Sequence, residues 1–179
     1  SVARFLEVRQ VLTGQRPPMR TDVVLDADWD FSLGANATGY VQVKRRGGDV
    51  TIETGRGIAS LGLTDLSARA SFAPGNRLNV TGLAKASRIG TLDANVTVPF
   101  ALRDGVFGIV DDGPLSGRID ADIPALKTTG NLFGPSYLLG GRAALKLTVS
   151  GTPVKPNLSG TLTGDELSAT LIDQGVQLK

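Results

Sequence analysis

The chain has 179 residues, with 19 basic and 17 acidic side chains and a formal net charge of +2. That near balance argues against a nucleic-acid surface, which gathers its basic residues on one face. Cysteine and histidine are both absent, which removes disulfides, thiol chemistry, thiolate metal sites and the commonest general base near neutral pH. A hydrophobic content of 41% with only 5% aromatic residues, together with 23 glycines, points to a single ordered domain over 1–179 with aliphatic lining and glycine corners.

Residues 1–14 suit a short amphipathic helix through Phe5, Val8 and Leu12, or a strand, before Arg16-Pro17-Pro18 breaks the chain. From Thr21 onward the pattern is strict apolar/polar alternation, whose period of two puts the two sets on opposite faces of a pleated strand. Val23, Leu25, Ala27, Trp29, Phe31 and Leu33 stand against Asp26, Asp28, Asp30 and Ser32. Val41 and Val43 follow, opposite Gln42 and Lys44, and Gly47-Gly48-Asp49 turns the chain into Val50 and Ile52. The parity slips near Gly57–Leu63. It is regained with Leu66, Ala68, Ala70 and Phe72, and Pro74-Gly75-Asn76 then leads into Leu78, Val80 and Gly82.

The next strand carries Leu92, Ala94, Val96, Val98 and Phe100 on one side, and Arg103-Asp104-Gly105 marks a turn after it. Leu115, Gly117, Ile119, Ala121 and Ile123 alternate with Ser116, Arg118, Asp120 and Asp122. The rhythm breaks from Pro124 to Gly140, where a helical turn is expected around 125–127. It resumes with Ala143, Leu145, Leu147 and Val149, then Leu158, Gly160 and Leu162, then Leu167, Ala169 and Leu171. About eleven to thirteen short strands result, the pattern of a meandering antiparallel sheet. Leu115-Ser116-Gly117 is echoed by Leu158-Ser159-Gly160, and Leu66-Ser67-Ala68 by Leu167-Ser168-Ala169, as in stacked β repeats.

Chemical motifs are lacking. The sequence holds no Gly-x-Ser-x-Gly elbow, no phosphate loop ending in Gly-Lys-Ser/Thr and no zinc-ligand spacing. Asp26, Asp28 and Asp30 form a straight comb on one strand face, whereas calcium needs roughly six to eight oxygens converging from a turned loop. Asp111-Asp112 before Gly113-Pro114 reads as a turn, and Lys44-Arg45-Arg46 as a solvated strand end. No apolar run approaches the ~18 residues of a spanning helix, and no signal peptide is present. The chain opens and closes in mid-pattern, as expected of a piece of a longer protein. An enzyme is therefore the least expected class, and no metal or cofactor is expected.

One long apolar surface remains to be explained. Leu25, Trp29, Phe31, Val41, Val43, Ile52, Leu66, Phe72, Leu78, Val80 and Leu92 are its candidate lining in the first half. Val96, Val98, Phe100, Leu115, Ile119, Ile123, Leu145, Leu147, Val149, Leu158 and Leu162 continue it. With glycines at Gly82, Gly117 and Gly160 marking bends or close approach of another backbone, these strands are expected to curl into a trough. About twelve strands at roughly 4.8 Å each would extend it over roughly 55–60 Å.

The segment Gly141 to Pro153, GRAALKLTVSGTP, followed by Pro156-Asn157-Leu158-Ser159-Gly160 and by Asp173-Gln174-Gly175-Val176-Gln177-Leu178, resembles the C-terminal domain of the TamB family. These proteins are the inner-membrane-anchored subunits of the translocation and assembly module in Gram-negative envelopes, and belong to the wider AsmA-like bridge group. The likeness covers roughly residues 114–179 and is thin over 1–110. It implies an all-β, elongated, curled antiparallel sheet (a β-taco) with a hydrophobic concave groove, in a periplasmic protein that works with the outer-membrane barrel TamA. It further implies shielding of phospholipid acyl chains, or of detergent in their place, during passage between the membranes. A role in assembly of outer-membrane protein clients such as autotransporters is implied as well. The alternative expectation is chaperone-like β-augmentation of those clients at open sheet edges, without lipid passage.

Overall fold

The computed structural model describes residues 19–33, 37–54, 57–103, 106–130, 137–171 and 176–178. The helix or strand expected over 1–14, the chain break expected at 16–18 and the turn expected at 104–105 lie outside the described residues. In chain order the elements are β1 (Met19–Thr21), β2 (Val24–Leu33), β3 (Ala37–Gly47), β4 (Val50–Thr54), β5 (Gly57–Ser60), β6 (Leu63–Ala73) and β7 (Arg77–Ala86). Then follow β8 (Gly90–Arg103), β9 (Val106–Ile109), β10 (Ser116–Ile123), α1 (Leu126–Gly130), β11 (Tyr137–Gly151), β12 (Pro156–Leu171) and β13 (Val176–Leu178). The short helix lies within one residue of the expected helical turn and rests against β11.

Alternation dictates strands, and strands joined by short turns pair with their sequence neighbours. The main sheet accordingly runs β13-β12-β11-β10-β8-β7-β6-β3-β2, with β9 paired to the far end of β8. Every ladder in it is antiparallel. A second, three-stranded sheet, β1-β4-β5, interrupts the order between β3 and β6. This excursion is the reason the parity slips near 57–63: β5 leaves the main sheet altogether. The chain then re-enters through Gly62, at a φ of 68° that favours glycine, and a register shift between Leu63 and Asp65.

Asp49 anchors the excursion. Its carboxylate accepts hydrogen bonds from the Ser60 hydroxyl and from the backbone N–H groups of Val50 (2.7 Å), Gly62 (3.0 Å) and Leu63 (2.8 Å). Its own N–H donates to Asp22 Oδ1 at 2.7 Å. Partial burial works to raise the Asp49 pKa, but the four donated hydrogen bonds outweigh it and hold the group down at about 2.

The sheet is open and single-layered, which corrects the expectation of a curled, taco-like sheet with a concave groove. Its outermost strands do not meet, and among the described residues only Phe100 and Val149 are buried hydrophobics. Strong curvature is built from bulges and glycine kinks repeated across the strands. Here the register shifts fall at Val24/Leu25, Leu63/Asp65 and Gly140/Arg142, away from the central rows. Nor do the glycines expected to bend the strands do so by forming a trough. Gly117 stands opposite Val96, and Gly160 opposite Leu147. A Cβ on Gly117 would lie 2.7 Å from Val96 Cα, and one on Gly160 would lie 2.9 Å from Leu147 Cα. The two Leu-Ser-Gly echoes thus share one role, admitting a neighbouring strand at close range.

Candidate functional site

Register decides which side chains share a face, because directly paired residues of an antiparallel ladder point the same way. Followed across the ladders, Trp29 pairs with Val41, Val41 with Ala70, Ala70 with Val80 and Val80 with Val96. The row continues through Gly117 and Val149 to Leu158. A second row runs Ala27, Val43, Ala68, Gly82, Ala94, Ile119, Leu147, Gly160. A third links Leu66, Ala84, Leu92, Ala121, Leu145 and Leu162. Phe72 pairs with Leu78, and Leu78 with Val98, in a fourth. Phe31, opposite Gly39, Leu25, opposite Arg45, and Ile123, opposite Ala143, fall on this same face. Eight strands therefore share one unbroken apolar face.

One of the expected lining residues lies elsewhere. Ile52 belongs to the three-stranded sheet, where it pairs with Met19 and Ala59. Leu115, just before β10, continues the β10–β11 register opposite Gly151, its N–H donating to the Gly151 carbonyl at 2.9 Å, and keeps the parity of Gly117 and Ile119. Phe100 sits where β8 leaves β7 to pair with β9. Its ring packs edge-on against Phe72 with centroids 5.3 Å apart. These two rings line a depression of about 380 Å³ with Pro74, Gly75 and Asn76.

Arg45 is a cation on this face, where its parity with Val41 and Val43 puts it. It stands opposite Leu25 in the same register that pairs Ala27 with Val43, and its Nε and Nη2 donate to the Gly48 carbonyl at 3.0 and 2.6 Å. The guanidinium is thereby folded back on the turn, and the apolar rows stay free of charge.

The opposite face is polar and bonded within itself. Tyr40 donates its hydroxyl proton to Asp28 at 2.9 Å, which pushes the phenol pKa up because the carboxylate disfavours a phenolate. Arg69 lies over the Tyr40 ring at 3.7 Å and donates to the Gln42 side chain at 3.1 Å. Arg142 bonds Asp165 through Nε at 2.9 Å, which raises the guanidinium pKa. Asp26, Asp28 and Asp30 stand in a row on β2, paired with Lys44, Gln42 and Tyr40, and Arg46 reaches Asp26 at 3.9 Å. Their partners are side chains of the sheet itself.

The apolar face offers contact area rather than chemistry. Trp29 is 63% exposed, Leu158 58% and Leu162 73%. A surface of this extent on a monomer marks a place of interaction with something apolar. Set against known protein families, characterised proteins and solved structures, the chain finds no match. Among the described residues no helix is long and apolar enough to cross a membrane.

Proposed function

We propose that the chain is a non-enzymatic, TamB-like envelope-biogenesis module whose open apolar sheet face shields phospholipid acyl chains moving between the inner and outer membranes. The observation that carries this reading is the continuous apolar register from Trp29 to Leu158, with Trp29 and Leu158 more than half exposed. Each methylene kept from water is worth about 0.8 kcal/mol, so an acyl chain must meet apolar surface all along its route. A path crossing strands from row to row supplies that without a charged step. In this reading the module works in the periplasm, as part of a protein anchored in the inner membrane. It would act with the outer-membrane barrel TamA, and outer-membrane protein assembly would be a linked role.

The test is photocrosslinking from Ile119 and Leu147, at the centre of the face, followed by mass spectrometry of the adducts. Lipid adducts that disappear in the Leu158→Asp/Leu162→Asp variant support the reading. Adducts to protein alone would overturn it. A second reading, β-augmentation of an outer-membrane client, is favoured by the edge of β2, which among the described residues pairs only with β3. Protein adducts from β2 positions such as Ser32, with none from Ile119, would favour that alternative.

A further inference from the structure

The two flanks of the main sheet are complementary to each other. Seven successive antiparallel ladders separate β2 from β12, namely those joining β2, β3, β6, β7, β8, β10, β11 and β12 in turn. Seven is odd, so β2 and β12 run in opposite directions. A second copy advanced along the sheet therefore brings its β2 beside the first copy's β12 in antiparallel orientation, with the apolar faces on the same side. β13 covers β12 only at Ala169–Leu171, and among the described residues nothing pairs with 156–168. The ten residues of β2 fit within that stretch.

Chemistry on both faces agrees with this join. On the apolar side, β2 presents Trp29 and Phe31 while β12 presents Leu158, Gly160 and Leu162, large rings beside aliphatics and a bare glycine. On the polar side, in the register that sets Trp29 opposite Gly160, the carboxylates of Asp30 and Asp26 would face the neutral hydroxyl side chains of Ser159 and Thr163. A β2-to-β2 join would instead set one row of carboxylates against another. Residues 24–32 and 156–167 are exposed on both faces.

We infer that β2 of one copy adds to β12 of the next, extending the sheet head to tail with its apolar face unbroken. The operation is heterologous, so it does not close at a dimer. This inference stands on strand order and edge chemistry, and is independent of the lipid reading.

Analytical ultracentrifugation across a concentration series tests it, with circular dichroism to confirm the β fold of each variant. The expected result is a mass that keeps rising past the dimer. Ser159→Asp/Thr163→Asp, at exposed edge positions, should weaken association about tenfold by placing carboxylates opposite Asp30 and Asp26. Adding Asp26→Lys/Asp30→Lys to that same chain should restore it. A folded protein that stays monomeric throughout would overturn the inference, even if it captures basic peptides at its edge. So would a species that stops at the dimer and ignores these charges, the mark of a face-to-face sandwich.

Discussion

The central strands and the two outer strands of the sheet carry the same alternation, yet their side chains live in different surroundings. Val96, Ile119 and Leu147 are half-buried and Val149 is buried, whereas Trp29 and Leu162, on the same face, are mostly in water. In a one-layer sheet no second layer supplies burial. It comes sideways, from the strands on either flank, and an outer strand has only one. The difference teaches that shielding here grows with the number of strands in line, and that whatever covers the face, or extends it, has most to gain at β2 and β12.

The contrast can be broken at its centre first. Phe100→Ala should cost about 3–5 kcal/mol, because the ring is 4% exposed and packed edge-on against Phe72, and denaturant unfolding will report it. Gly117→Val should cost about 1–3 kcal/mol, since the new side chain collides with the Asn95 carbonyl and Val96 of the adjoining strand. A smaller loss, about 1–2 kcal/mol, is expected of Asp49→Asn, which weakens the carboxylate's grip on Ser60, Gly62 and Leu63. Asp49 also has a pH signature. Its folded pKa of about 2 lies below the ordinary 3.8, so its contribution is whole above pH 3.8 and fades as the pH falls toward 2. In Asp49→Asn that slope should vanish from the acid unfolding curve. Leu162→Asp closes the series. At 73% exposure it should change stability by no more than about 0.5 kcal/mol, so an effect on lipid crosslinking would be separable from folding.

Most strands were legible because their signal is local. The Asp comb against Trp29 and Phe31, and Leu92 to Phe100, announce their pleat in each pair of residues. Even the slip near 57–63 was visible, although its cause was not. A departure into a second sheet depends on Asp49 meeting Leu63, residues whose approach only the folded chain shows. The trough failed for a similar reason. Glycine in a strand is compatible both with a bend and with a close neighbour, and Gly117 and Gly160 turned out to serve the second.

By itself the sequence determined that this protein is a run of two-faced strands with no equipment for catalysis at neutral pH by histidine or cysteine. Period two and residue chemistry are properties of the chain alone. Tertiary structure decided that the apolar faces line up across eight strands, that Ile52 stands apart from them, and that the sheet remains open. Register and closure are relations between strands distant in sequence, set by bulges, by one half-buried carboxylate network and by which edges find partners.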